Sequence, residues 1–178
     1  MDVTLIVDGA NVMGSRADGW WRDRAGAMAR LHGELAALAA AGIAGPVPGE
    51  PGAAGRAGTA VEAGAAVEAG AAGEAGAAER ARAEGEAGAG GETAGARWFP
   101  DVLLVVEGRA RAVLDLVAPA PRVRVVAARG EGDDEIASLA GRLTGPRVVV
   151  TADRELRRRC EAAGAAVTGP GWLLRQFG

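Results

Sequence analysis

The stretch VTLIVDGAN, residues 3–11, decides the fold, because it joins an unbroken apolar and β-branched run to a polar turn that opens with Asp8. A run of this kind is typical of a strand that is covered on both faces, as strands of parallel sheets are. In such sheets ligands bind beyond the carboxyl ends of the strands. The position of Asp8 is therefore one where chemistry is expected.

The same alternation of strand and helix continues along the chain. Within 25–41, Met28, Leu31, Leu35 and Leu38 recur at helical spacing. The further predicted strands cover 101–107, 123–128, 147–153 and 165–169, and the further helices cover 110–117, 133–143 and 154–164. This order predicts an α/β protein with a parallel sheet of four to five strands and helices on both faces.

Residues 45–96 have a different composition, rich in Ala, Gly and Glu. The hexapeptide AVEAGA occurs at 60–65 and 66–71, and AGEAGA follows at 72–77. A period of six matches neither a helical face nor a solenoid repeat, and few large apolar side chains are present to offset the entropy of ordering. We expect one domain over 1–178, interrupted at 45–96 by a disordered or weakly helical insertion.

The charge of the chain is unevenly distributed. The net charge is −3, but 46–95 contain eight Glu and three Arg, so the remainder carries +2. Every basic side chain is Arg, whose planar guanidinium suits phosphate groups. The remainder is only modestly basic for a nucleic-acid partner, whose affinity comes largely from phosphate neutralisation.

Cysteine usage and hydropathy predict a cytoplasmic protein that does not enter a membrane. Cys160 is the single cysteine, so no internal disulfide can form. No apolar stretch reaches the length of about 18 residues that a membrane helix needs. The first residues lack the basic and small-residue features of a signal peptide.

Carboxylates follow the predicted strands at what should be one edge of the sheet. In chain order they are Asp8, Glu107, the pair Asp133 and Asp134, and Asp153. Each one alone could cap a helix or order a turn. Together they would repel one another unless a cation neutralised them, and hard oxygen ligands favour Mg²⁺ or Mn²⁺. Two such ions could activate water against a phosphodiester. The four aspartates are therefore the predicted catalytic residues, and the predicted metal ligands are the same four together with Glu107.

Several other polar side chains near the strand ends could bind substrate. The arginines that follow the strands are Arg16, Arg22, Arg24, Arg109, Arg111 and Arg129. Of these, Arg22, Arg109 and Arg129 are the predicted substrate contacts, together with Asn11 and Thr151. Each arginine could equally be a solvated surface charge.

Two aromatic residues and one histidine complete the candidates. Trp20 and Trp21 could stack on bases or anchor their loop to the core. His32 is the single histidine, and its place in the first helix predicts a surface residue, so zinc and histidine-based hydrolysis are not expected.

Three segments, VDGANVMGS (7–15), GDDEIASLA (132–140) and VVVTADREL (148–156), resemble the NYN branch of the PIN-like nucleases, especially its YacP-like members. The resemblance covers about 1–44 and 98–170. It implies a PIN-like three-layer fold and a ribonuclease activity that depends on Mg²⁺ or Mn²⁺, with RNA as the substrate.

The resemblance also assigns roles to individual residues. Asp8 matches the first metal-binding aspartate and Asn11 the polar residue after it. Asp133 and Asp134 match the acidic pair that opens a helix, and Asp153 matches the aspartate at the end of the fourth strand. Glu107 stands where members of the branch often carry an acidic residue after the second strand.

Two other functions are compatible with the same residues. One is a phosphohydrolase that acts on free nucleotides with the same metals, and the other is a non-catalytic RNA-binding or protein-binding module. A homodimer would suit the apolar Trp172, Leu173 and Leu174, although packing in the core explains them equally well.

Overall fold

The structure, a computed structural model, describes residues 3–49 and 97–177. Its strands are β1 (Thr4–Asp8), β2 (Ile43–Ala44), β3 (Arg97–Trp98), β4 (Asp101–Val106), β5 (Val123–Ala127), β6 (Arg147–Val150) and β7 (Ala166–Thr168). Five of them form one sheet in the order β5-β4-β1-β6-β7, and every neighbouring pair in it is parallel. The predicted parallel sheet is therefore confirmed, with β1 at its centre.

The helices are α1 (Gly9–Gly14), α2 (Arg24–Ala41), α3 (Gly132–Arg142), α4 (Arg154–Ala162) and α5 (Pro170–Leu174), with 3-10 helices at Trp20–Arg22 and Gly108–Asp115. The helix predicted at 110–117 is thus a 3-10 helix that begins two residues earlier. Neither α1 nor α5 was predicted, because helices of five or six residues are too short to show a periodic apolar face. Within 3–49 and 97–177 no helix combines the length and hydropathy that a membrane crossing requires.

The core lies in two layers, one on each face of the sheet. Leu5 and Val7 of β1 point to the side where α2 packs, whereas Ile6 points to the side of α3 and α4. Successive residues of a strand face opposite sides of the sheet, so the continuous apolar run of β1 is buried on both faces. The arrangement is the three-layer α/β architecture that the sequence predicted.

The structure corrects the predicted surface position of His32. Its side chain is only 6% exposed. Besides facing the sheet, α2 packs against the 3-10 helix Gly108–Asp115, so the buried part of α2 is wider than one apolar stripe. Burial lowers the pKa of His32, so the neutral form is favoured.

A short antiparallel ladder joins the two segments that flank the predicted insertion. Ala44 of β2 pairs antiparallel with Arg97 of β3. The Arg97 guanidinium also donates to the carbonyls of Ala41 and Gly42 at 2.9 Å each, at the end of α2. Most of the predicted insertion, 50–96, lies outside the described residues.

The last residues of the chain pack in the core. Leu173 is fully buried, and Trp172 stacks on Trp98 with ring centroids 6.4 Å apart. Leu174 is partly buried against the same cluster. Core packing therefore accounts for the apolar residues that would have suited a homodimer.

Candidate active site

A cleft of about 460 Å³ opens at the carboxyl edge of the sheet. Its walls include the carboxylates of Asp8, Glu107, Asp133 and Asp153, and we call it the carboxylate cleft. Four of the five predicted metal ligands are therefore brought together. They meet because β1, β4 and β6 are parallel, so the residues that follow their ends reach the same edge.

Asp8 is the most constrained of these carboxylates, with only 7% of it exposed. One oxygen accepts a hydrogen bond from the backbone N–H of Asn11 at 3.0 Å, and the other accepts from the Thr151 hydroxyl at 2.9 Å. Burial raises the pKa of Asp8, and these two hydrogen bonds partly oppose the rise. The negative charges of Asp133 and Glu107 raise the pKa of the same carboxyl further.

Thr151 and Asn11 connect the elements that form the cleft through hydrogen bonds. The fully buried Thr151 hydroxyl accepts from the backbone N–H of Asp153 at 3.2 Å while it donates to Asp8. The Asn11 side-chain oxygen accepts from the N–H of Ala152 at 2.9 Å and so ties α1 to the end of β6. The predicted substrate contact of Thr151 is not supported, because its side chain is covered and already bonded to Asp8. Asn11 does line the cleft.

Glu107 and Asp153 each use one oxygen to fix the start of a helix. Glu107 accepts from the N–H of Gly132, the first residue of α3, at 2.6 Å. A Cβ at Gly132 would lie only 3.1 Å from the same carboxylate oxygen, so glycine permits this close approach. Asp153 caps α4 by accepting from the N–H of Leu156 at 2.8 Å. Both carboxylates are thereby held at the cleft wall.

Asp133 and Asp134 have different surroundings although they are adjacent. Asp133 lines the cleft, and burial, followed by the charges of Asp153 and Glu107, raises its pKa. Asp134 points away and forms an ion pair with Arg159 of α4 at 2.7 Å. Neighbouring residues of an α-helix are rotated by about 100°, since a turn takes about 3.6 residues. The structure therefore does not bring Asp134 to the site at which it was predicted to act.

The predicted arginines are also not in this cleft. Arg129 is exposed in the loop between β5 and α3, and Arg22 and Arg109 line a separate pocket described below. Two other arginines near the strand ends have structural contacts. Arg16 forms an ion pair with Glu34, and Arg111 donates to a backbone carbonyl.

Six residues of the cleft were not predicted as site residues, namely Ala10, Gly14, Ser15, Val105, Gly132 and Ile136. Gly14 and Ser15, at the end of α1, contribute to its wall. Their position depends on α1, which begins directly after Asp8 because that side chain caps it. An aspartate three residues before a polar Asn11 is the available sequence signal for such a cap.

The donor chemistry of the cleft suits a hard divalent cation, because all the candidate ligands are carboxylate oxygens. In the part of the chain that the structure describes, no three His, Cys, Asp or Glu side chains are grouped closely enough to enclose an ion. Mg²⁺ usually keeps several waters and is held by one or two carboxylates. The open cleft therefore fits a partly hydrated ion better than a closed cage.

The sheet order and the two helical layers define a PIN-like α/β fold. A solved structure with this likeness is a mutant of Rae1 (YacP) from Bacillus subtilis. The TM-score is 0.55 and the identity 15%, over 99% of this chain and 75% of that chain. At this identity the likeness concerns the fold alone. YacP is also the branch that the sequence motifs resemble. No protein-family model and no curated protein matches the sequence.

Proposed function

We propose that this protein is a metal-dependent ribonuclease of the NYN branch, which cleaves RNA phosphodiester bonds in the carboxylate cleft. The observation that supports the proposal is the convergence of Asp8, Glu107, Asp133 and Asp153 on that cleft. Their burial and mutual repulsion raise the pKa values of Asp8 and Asp133. A bound cation would offset this cost.

Asp8 and Asp133 are the residues that we expect to hold Mg²⁺ or Mn²⁺, with Glu107 and Asp153 beside them. When bound, such an ion polarises a phosphoryl oxygen and lowers the pKa of its water. The protein's own contribution is to fix the ligands before substrate arrives. Thr151 orients the Asp8 carboxylate from behind, and the helix starts of α3 and α4 fix Glu107 and Asp153.

A cytoplasmic location suits an enzyme of this kind. Cys160 is unpaired and buried, as expected for a protein that needs no oxidising compartment.

The test is an incubation with single-stranded RNA, structured RNA, DNA and nucleoside triphosphates, each with Mg²⁺, Mn²⁺ or EDTA. We expect RNA cleavage with either metal and none in EDTA. Asp8→Asn should lower kcat by about 1,000-fold, because metal-ion stabilisation of the transition state contributes several kcal/mol. Circular dichroism would verify that the variant is folded.

Asp101→Asn is the matched control. Asp101 is exposed at the start of β4, at the opposite end of that strand from Glu107, and its substitution should leave kcat unchanged. Turnover of triphosphates alone would indicate a nucleotide phosphohydrolase instead. RNA binding without turnover in either metal would indicate a non-catalytic module.

A further inference from the structure

A second pocket, of about 320 Å³, opens near the carboxylate cleft. Its walls are formed by Trp21, Arg22, Asp23, Arg24, Ala25 and Arg109, and we call it the Arg/Trp pocket. Its volume is at the lower end of the range for small-ligand sites, roughly 300–1,000 Å³. The residues come from two separate parts of the chain. One part runs from the 3-10 helix Trp20–Arg22 into the first turn of α2, and the other is the 3-10 helix that follows β4.

Trp21 is the exposed aromatic of this pocket. It is 56% exposed, whereas the adjacent Trp20 is partly buried against the core. The two rings meet edge to face, with centroids 6.3 Å apart and planes at 85°. Trp20 therefore anchors the 3-10 helix Trp20–Arg22 to the core. The Trp21 ring packs against the Trp20 ring and leaves much of its own surface open to solvent.

The charge of the pocket is positive. Its three arginines are exposed, and within 3–49 and 97–177 none of them forms an ion pair with a carboxylate. The guanidinium of Arg22 lies 5.9 Å from the centroid of the Trp21 ring. The one acidic wall residue, Asp23, caps α2 by accepting from the N–H of Gly26 at 2.9 Å. The arginines are thus available to an external anion.

We propose that the Arg/Trp pocket binds an unpaired nucleotide of single-stranded RNA, with the base stacked on Trp21 and the phosphates held by Arg22, Arg24 and Arg109. Unpaired bases offer a free face to aromatic side chains, whereas the bases of a duplex are already stacked. Guanidinium groups match the geometry of phosphate oxygens. An exposed tryptophan among three arginines provides both kinds of contact.

The proposal rests on the proposed nuclease function and extends it by naming the substrate class. Glu107 lines the carboxylate cleft, and Arg109 lines the Arg/Trp pocket. Two residues apart, their Cα atoms lie within about 7 Å of each other. The backbone from Glu107 to Arg109 thus links the carboxylate cleft to the Arg/Trp pocket, and an RNA strand held in the pocket is proposed to extend toward the carboxylates.

Fluorescence anisotropy with a labelled, unstructured RNA in EDTA tests binding without cleavage. Trp21→Ala should raise the Kd about tenfold, which is within the range for loss of one base–aromatic stack. Trp21→Phe should restore most of the affinity. Arg22→Ala should reduce the slope of log K against log salt by about 0.7, the value for one phosphate contact on a single strand.

Phe99→Ala and Arg30→Ala are the matched controls, because these residues are an exposed aromatic and an exposed arginine outside the pocket. Both should leave the Kd within about twofold of the wild-type value, since surface substitutions away from a site have small effects. An unchanged Kd in Trp21→Ala would overturn the proposal. An equal loss of affinity for single-stranded and duplex RNA would do the same.

The two proposals fail in distinguishable ways. If Trp21→Ala weakens RNA binding but the wild-type protein cleaves nothing with either metal, the nuclease is wrong and the nucleotide subsite stands. If cleavage depends on Asp8 while Trp21→Ala changes neither Kd nor KM, the nuclease stands and the subsite is wrong.

Discussion

The carboxylate cleft and the Arg/Trp pocket are neighbours with opposite construction. In the cleft, Asp8, Glu107 and Asp153 are each fixed by hydrogen bonds to backbone N–H groups, and Asp8 also by a buried hydroxyl. In the pocket, Arg22 and Arg109 are exposed and without an acidic partner among the described residues. One region is negative and preorganised, and the other is positive and adaptable.

In the proposed nuclease, this difference would separate two tasks, catalysis and the capture of substrate. Groups that stabilise a transition state act best when they are oriented in advance. Groups that capture a flexible RNA strand act best as long, exposed side chains that can extend to it. We therefore expect changes in the cleft to lower kcat and changes in the pocket to raise KM. The four predictions that follow test the cleft side of this comparison and then the segment outside both sites, from the largest expected effect to the smallest.

Asp133→Asn and Asp134→Asn form a matched pair on one turn of α3. Asp133 lines the cleft, so its neutral variant should lower kcat by about 100-fold or more, through loss of a proposed metal ligand. Asp134 pairs with Arg159 at the surface, and a surface ion pair contributes only about 0–1 kcal/mol. Its variant should therefore retain activity within about fivefold. Equal losses in the two variants would show that the cleft extends to Asp134.

The same pair should differ in thermal stability in EDTA. Because the pKa of Asp133 is raised above its ordinary 3.8, the stability that this group contributes is present below about pH 3.8 and is lost as pH rises through the raised pKa. Asp133→Asn should thus have a higher Tm than wild type at pH 7, and the difference should vanish near pH 3.8. Asp134→Asn should show no such gain, and a Tm rise shared by both variants would contradict the assignment.

Thr151→Val tests whether activity depends on the hydrogen bond from the buried Thr151 hydroxyl to Asp8. The substitution leaves Asp8 without its buried donor and should cost about 1–3 kcal/mol in the free energy of unfolding. We expect kcat to fall about tenfold with KM unchanged, since 1.4 kcal/mol corresponds to a factor of ten. Thr151→Ser keeps the hydroxyl and should restore activity. Loss of activity in the serine variant would point to packing instead of the hydrogen bond.

The smallest effect is expected from the segment 50–96. Replacing it with a short Gly/Ser linker should change the Tm by less than about 3 °C, because Ala44, Arg97 and the contacts of Arg97 at the end of α2 all remain. Both kcat and KM should stay near wild-type values. A large fall in Tm would show that the segment contributes to the core.

The sequence predicted the sheet and the four carboxylates that line the cleft. The runs that became β1, β4 and β6 are continuous and apolar, and parallel pairing alone places Asp8, Glu107 and Asp153 at one edge. The position of Asp133 could be predicted because it lies in the first turn of the helix that follows β5, and the end of β5 lies at the same edge of the sheet. These predictions needed only strand direction and local chain order, both of which are visible in the sequence.

The remaining features depend on contacts between distant elements. Asp134 forms an ion pair with Arg159, a partner that α4 supplies from 25 positions further along the chain, and His32 is buried in α2, which packs against both the sheet and the 3-10 helix after β4. Thr151 is buried in the structure, and nothing in its local sequence indicates a partner 143 positions away. Such outcomes are set by tertiary packing, which hydrophobic periodicity does not encode.

The pairing of Ala44 with Arg97 has an evolutionary consequence. Since the two ends of the intervening stretch are neighbours across a ladder, the number of residues between them can change without moving either end. Even for a fully flexible connection, each doubling of length costs only about 0.6 kcal/mol. Descendants of this chain can therefore vary in length between Ala44 and Arg97 at little cost to the parallel sheet and its cleft.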